Sequence, residues 1–387
     1  MKIAKSVNRL GTEAVYNIFA KTKQLEKEGK KIIDLSLGQS DFKSPQHAVD
    51  AAIQALKDGH HGYTLPNGII ECREAVSRKI KSLYNANIDP NRVVIMPGGK
   101  PTMHYAISFF GEENAEILYP DPGFPIYESM INFTGAKAVP YNMTENKDFS
   151  INPDKILSLI NKRTSLLILN NPHNPTGGFT EKKVIDKLVN GLKNFPNLVI
   201  LSDEVYDRLI FDKKKIPTFL NYPELYERLI VLNGWSKTYA MTGWRLGWGV
   251  WPEKLIEHVF KFCVNSHSCV NTPAQYGAIA ALEGPEDHLN NMMEEFAERR
   301  KIIVDGLRSL KGVECSLPGG SFFVFPNVQG TGMNGEEFTN KCLEEAGVAM
   351  IPGTAFGKFA KFNVRFNFAT SRENISKAIE KIDKILK

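Results

Sequence analysis

Asn233-Gly-Trp-Ser-Lys-Thr-Tyr-Ala-Met-Thr-Gly-Trp-Arg-Leu-Gly-Trp248 is the run from which the rest of this 387-residue chain can be read. It follows Leu229-Ile-Val-Leu232, a continuous apolar segment that reads as a buried strand. It holds one lysine, Lys237, among small and aromatic residues. A lysine so placed is poorly hydrated, and its neutral amine becomes accessible. Such an amine is the usual nucleophile for a carbonyl carbon. Further along, Arg245 offers a permanent planar cation suited to an anion such as phosphate. The bland alternative is a strand followed by a solvated loop with an ordinary surface lysine.

Outward from this run, further apolar segments end in loops rich in Gly, Pro, Asn and Asp. Arg92-Val-Val-Ile-Met96 leads into Pro97-Gly-Gly-Lys-Pro101 and a helix to about Phe110. The glycines let backbone N–H groups converge, and Pro101 suits a first helical turn. A helix start of this kind is a ready anion site, with Gly99 and Lys100 supplying the amides. Ala115-Glu-Ile-Leu-Tyr-Pro120 precedes Asp121-Pro-Gly-Phe-Pro-Ile-Tyr127. An aromatic at a strand end, here Phe124, can stack on a flat heteroaromatic ring. Ser165-Leu-Leu-Ile-Leu169 is apolar throughout, as in a parallel sheet covered on both faces. It delivers Asn170-Asn-Pro-His-Asn-Pro-Thr-Gly177, where two X-Pro steps favour an extended, rigid loop. Asn197-Leu-Val-Ile-Leu-Ser-Asp-Glu-Val-Tyr206 places Asp203 at the carboxyl end of a strand, where α/β sheets bind ligands. Strands ending near residues 96, 120, 141, 169, 203, 232 and 250 form one α/β sheet.

A carbonyl that bears a phosphate points to pyridoxal phosphate. Ser236-Lys237 followed by Gly243 and Arg245 resembles the signature of class I and II aminotransferases. Asn171-Pro-His-Asn-Pro-Thr-Gly177 and Ser202-Asp-Glu-Val-Tyr206 resemble two further motifs of that family. The resemblance implies the fold type I architecture: a seven-stranded, mostly parallel sheet with helices on both faces, plus a small α+β domain. It implies pyridoxal phosphate as cofactor and Lys237 as the catalytic lysine. Gly99, Lys100, Ser236 and Arg245 would hold the phosphate. Phe124 would stack on the ring, Asn174 and Tyr206 would reach its phenolic oxygen, and Asp203 would keep its nitrogen protonated. Gly38 would lie on the substrate side, and Arg365 in Phe362-Asn-Val-Arg-Phe-Asn-Phe368 would bind the substrate α-carboxylate beside Asn174. Tyr63 in Gly62-Tyr-Thr-Leu-Pro-Asn-Gly68 would reach the phosphate of a partner subunit, which implies a homodimer with shared sites. Ser268-Cys-Val-Asn-Thr-Pro273 would lie in a loop near the partner's site.

Length predicts two domains, divided as 45–290 for the larger and 1–44 with 291–387 for the smaller. Hydrophobic residues make up 42% and charged residues 24%, ordinary for a globular enzyme. A net charge of +5 without a long basic run gives no sign of nucleic-acid binding, and Lys213-Lys-Lys215 reads as a solvated loop. Five scattered cysteines without a Cys-x-x-Cys pair predict reduced thiols in the cytoplasm. The first ten residues have no apolar core of signal length, and no apolar run reaches the ~18 residues of a bilayer span.

The small domain is expected to carry strands in Lys31–Leu37, Val313–Pro326, Val348–Ile351 and Phe362–Phe368, with helices over Glu13–Glu28, Glu336–Ala346 and Glu373–Leu386. Arg365 alternates with Val364 and Phe366 and so faces the opposite side of its strand. Gly330-Thr-Gly-Met-Asn-Gly335 spells a dinucleotide-binding pattern, but the acidic residue expected ~20 positions on is missing, so it reads as a surface loop. The substrate is less determined. Lys100 matches a lysine that dicarboxylate-using relatives place near the distal carboxylate. Glu13 and Val15 stand where those relatives tend to have hydroxyl residues. An aspartate- or glutamate-type donor is favoured; neutral or aromatic donors, and β-elimination on the same residues, are the alternatives. A transcription regulator would need an N-terminal DNA-binding extension, and a nicotinamide enzyme would need the glycine-rich loop.

Overall fold

The computed structural model describes residues 1–11, 14–144, 146–212 and 217–387, and of these the side chains of 14, 15, 17 and 19 are excepted. Glu13, the Val15 side chain and Lys213–Lys215, all singled out from the sequence, lie outside the described residues.

The seven strands of the main sheet are β1 Val93–Met96, β2 Glu116–Asp121, β3 Lys137–Asn142, β4 Thr164–Asn170, β5 Val199–Asp203, β6 Leu229–Gly234 and β7 Gly247–Val250. Their order is β1-β7-β6-β5-β4-β2-β3. Neighbours run parallel except β7, which is antiparallel to both β6 and β1. All seven occur where the apolar runs predict them.

Two cores explain why these runs are apolar throughout. Leu167, Leu169, Ile200 and Val231 face one side, packed with Val76, Ile80, Leu188 and Ala278 from three helices. Leu166, Ile168, Leu201 and Ile230 face the other, against Met103, Ile107, Ile131 and Val259. Successive strand residues point to opposite faces, so a strand buried on both must be apolar at every position.

A further core gathers Leu35, Phe296, Leu307, Phe322, Val364, Phe366, Ile375 and Ile382. It joins the helices Asp287–Ser309 and Arg372–Leu386 to an antiparallel sheet ordered Ile351–Pro352, Val364–Asn367, Phe323–Val324. Here the strands are shorter than the sequence suggests. Only Ile33–Asp34 of the 31–37 run is strand, paired parallel with Val348–Ala349. Asp34 Oδ1 accepts from Ser36 N at 2.8 Å, and this local bond ends the strand pairing. Of the 313–326 run only Phe323–Val324 is strand. Gly319 N and Gly320 N instead donate to Gly177 O at 2.8 and 3.1 Å. The expected helix over 336–346 is Gly335–Lys341 followed by a π-turn, Cys342–Ala346. The glycine-rich 330–335 run serves that helix as its start, where Asn334 and Glu337 form a capping box.

Candidate active site

Five strand ends and the C-terminal sheet open on one cavity of about 330 Å³. It is lined by Gly38, Gly99, Lys100, Phe124, Asn174, Asp203, Tyr206, Ser236, Lys237, Arg245 and Arg365, every site residue named from the sequence except Tyr63. Tyr63 is 93% exposed and lies outside this cavity. Its loop is pinned where Thr272 Oγ1 donates to Gly62 O at 2.9 Å, so it adjoins the 268–273 loop that the sequence linked to the same partner-facing region.

Lys237 follows β6 and is half-buried. Its Nζ donates to Gly38 O at 2.5 Å and lies 5.9 Å from the centre of the Tyr206 ring. Its pKa is lowered to about 8, chiefly by burial and further by Arg365 and Arg245, with Asp203 opposing them. The amine is thus accessible in its neutral form, as a nucleophile or base must be. Gly38 is not among the positive-φ glycines, and a Cβ there would sit 3.3 Å from the Phe323 ring. The glycine serves close approach rather than a left-handed turn.

Asp203, buried at the end of β5, has its carboxyl raised to about 6 by burial. Tyr127 OH donates to its Oδ2 at 2.7 Å and Val205 N to its Oδ1 at 3.2 Å. These donors and Lys237 favour the ionised form. Asn170 Nδ2 donates to Asp203 O at 3.0 Å, while Asn170 Oδ1 accepts from Asn174 N at 2.9 Å. One asparagine thereby fixes two loops. The 170–177 loop is not extended as its two X-Pro steps suggest. It turns at 174–176, with Gly177 N donating to His173 O at 2.9 Å, and both Asn171-Pro172 and Asn174-Pro175 are cis.

Arg365 is buried on the middle strand of the C-terminal sheet. Its Nη1 donates to Asn174 Oδ1 at 3.1 Å and its Nη2 to Ser36 O at 2.6 Å. The guanidinium lies over the Phe323 and Phe356 rings at 4.4 and 4.6 Å. Such an anchored planar cation suits bidentate capture of a carboxylate.

Opposite stands an anion cradle. Gly98 has φ +90°, and the helix Lys100–Phe110 starts directly after Gly99. A Cβ on Gly98 would lie 2.1 Å from Arg245 Nη2. Arg245 has φ +55° and donates from Nη1 to Thr242 O at 2.7 Å. Helix N–H groups, the Ser236 hydroxyl and a guanidinium converge here. The pocket therefore offers donors for a phosphate, an acid for a ring nitrogen, an aromatic face in Phe124 and an amine for a carbonyl. This donor set fits pyridoxal phosphate.

Tyr127, Asn170, Tyr16, Phe323 and Phe356 also line the cavity and were not singled out from the sequence. Tyr127 stands three residues after Phe124 in a quoted run, and Asn170 precedes a quoted motif; position beside a motif was the available signal. Tyr16, Phe323 and Phe356 carry none.

Comparison with known proteins places this geometry. Residues 30–382 match the profile of "Aminotransferase class I and II". The chain is 35% identical to aspartate aminotransferase of Pyrococcus horikoshii, over 99% of this chain and 97% of that one. It is 34% identical to aromatic-amino-acid aminotransferase 2 of Thermococcus litoralis, over 92% of each. It superimposes on aspartate aminotransferase from Thermus thermophilus with maleate at a TM-score of 0.94, with 28% identity and full coverage of both chains. The chain belongs to the class I and II aminotransferases, enzymes that use pyridoxal phosphate to carry an amino group between an amino acid and a 2-oxo acid.

Proposed function

We propose that the amino donor is a dicarboxylic L-amino acid, aspartate or glutamate. The observation that carries this reading is Lys100, whose Nζ stands 5.5 Å over the Phe124 ring at the pocket. It supplies a cation beyond Arg245 and Arg365, which the phosphate and the α-carboxylate would engage, and so suits a second carboxylate. When bound, pyridoxal phosphate supplies the carbonyl that takes up the amino group and a ring that withdraws electrons from Cα. Asp203 holds a proton on the ring nitrogen. Ser236, Arg245 and the amides at Gly99 and Lys100 bind the phosphate, Phe124 covers the ring, and Tyr206 and Asn174 face the phenolic oxygen. Arg365 grips the α-carboxylate and turns Cα–H toward Lys237. Lys237 Nζ takes that proton as general base and returns it as acid.

The active protein is a cytoplasmic homodimer in which Tyr63 serves the partner's site. Its nearly full exposure outside its own pocket and five free cysteines support this. The large domain spans 45–290, and the small one 1–44 with 291–387; the core around Phe296 and Phe366, drawn mostly from 291–387, supports the division. A second reading, a neutral or aromatic donor, has support in the apolar lining of Tyr16, Leu37, Met103 and Phe356.

A panel of amino donors with 2-oxoglutarate and pyruvate, followed by absorbance of the aminated cofactor, separates the two. Aspartate and glutamate are expected to lead, and Lys100→Ala to lower their kcat/KM by roughly tenfold while sparing other donors. Aromatic donors that lead and are indifferent to Lys100→Ala would establish the second reading. Release of ammonia without amino transfer would establish β-elimination.

A further inference from the structure

We propose that Tyr127 is a positioning residue of the reaction: its hydroxyl holds Asp203 ionised and aimed at the ring nitrogen, and ties that carboxylate to the loop carrying Phe124. The inference rests on the reading of Asp203 as the partner of the cofactor nitrogen.

Tyr127 is the second residue of the helix Ile126–Thr134 and is fully buried. Its backbone N–H closes a turn onto Phe124 O at 3.0 Å, and the two rings meet edge to face at 5.8 Å and 85°. The residue that would cover one face of the cofactor and the residue that contacts Asp203 are thus one rigid unit. The hydroxyl donates to Asp203 Oδ2 at 2.7 Å. Asp203 needs such help because it is buried, and burial favours the neutral acid. A neutral Asp203 cannot stabilise a protonated pyridine nitrogen. A phenol serves better than a charged donor, because burial raises its own pKa and keeps its proton on oxygen. A cation there would compete with the ring nitrogen for the carboxylate. The other ionisable groups around this pair are Lys237 and Tyr206 beside Asp203, Arg365 beyond Tyr206, and Tyr141 behind Tyr127.

Tyr127→Phe deletes only the donor. In cofactor-free protein, infrared titration of the Asp203 carboxyl band, assigned by its loss in Asp203→Asn, is expected to show protonation at a higher pH than in the wild type. In the loaded enzyme the acidic limb of kcat/KM is expected to move up in pH, and kcat to fall roughly tenfold with KM little changed. A purely structural role would lower Tm and cofactor affinity while leaving the carboxyl titration and the acidic limb in place, and that result overturns the proposal. Asp203→Asn separates the two levels. If it leaves amino transfer intact, the reading of Asp203 itself fails. If it abolishes transfer while Tyr127→Phe changes neither titration nor kcat, the role of Tyr127 alone fails.

Discussion

Lys237 shows how a single residue gains chemistry from its surroundings. The sequence places it in an apolar-flanked turn, which predicts a desolvated amine. The structure adds Arg365 and Arg245, two cations that also disfavour its charged form. With its pKa lowered to about 8 rather than the usual 10.5, the neutral fraction grows tenfold for each pH unit up to about 8 and then levels off. The rate at which cofactor-free protein captures pyridoxal phosphate, followed by stopped-flow absorbance, should therefore rise between pH 6 and 8 and flatten above it. A rate still climbing tenfold per unit at pH 9.5 would show an unperturbed lysine. Tyr127 was not legible at this scale. Its partner Asp203 lies 76 positions away, and no local pattern encodes a contact made through folded space. Lys237, Asp203 and Arg365 were legible because each sits in a motif of unusual residue types.

Among the elements, legibility follows burial. Strands β4, β5 and β6 are covered on both faces, so their sequences are apolar without interruption and their ends could be read to within two residues. The C-terminal strands are two to four residues long, and the backbone of 319–320 pairs with Gly177 instead of a neighbouring strand. No alternation extends far enough to mark such pieces. The turn before the Lys100–Phe110 helix can be tested directly. Gly98→Ala would need φ +90°, which costs about 1–2 kcal/mol in an L-residue, and would push Arg245 Nη2 from a position 2.1 Å from the new Cβ. Equilibrium dialysis should show cofactor affinity reduced by roughly tenfold or more. Gly99→Ala is the control: Gly99 has φ −75° and its Cβ would meet Leu232 Cδ2 at 3.2 Å, so its effect should be smaller. At the end of β5, Glu204 turns away from the cavity. Its carboxylate accepts from Ser202 Oγ, Thr218 Oγ1 and Phe219 N at 2.9, 2.6 and 2.9 Å. Burial nevertheless raises its pKa from the usual 4.5 to about 7. Between those values the folded state binds more protons than the unfolded, so this group's contribution to stability is lost as pH rises through 7. Glu204→Gln removes that dependence. Urea unfolding from pH 5 to 8 should show the variant gaining on the wild type as pH rises; a constant difference would mean that Glu204 titrates normally.

Across the whole molecule, the site depends on bringing the chain's two ends to the sheet. Arg9 donates to Asn132 O and Phe133 O at 2.7 Å each, and Gly11 N to Ser129 Oγ at 2.9 Å. At the other end of the chain, Lys358 N and Phe359 N donate to the carboxylate of Asp121, the last residue of β2, at 3.1 and 3.2 Å. These ties hold Gly38 and Arg365 against a pocket built by the strand ends. Tyr63 is the named site residue that this closure leaves outside, so its proposed role requires a second copy of the chain. Co-expression of Tyr63→Ala and Lys237→Ala chains tests that requirement. Each variant alone gives homodimers whose two sites share the same defect. In the mixed dimer, the intact Lys237 of the first chain meets the intact Tyr63 of the second, while the other site carries both defects. With random pairing half of the dimers are mixed and half of their sites are whole, so activity should return to roughly a quarter of wild type. Purification through two different tags should enrich it to about half. If Tyr63 acts within its own chain, mixing yields only the average of the two variants, because no pairing then reconstitutes a complete site; if it does not act at all, Tyr63→Ala alone is already as active as wild type.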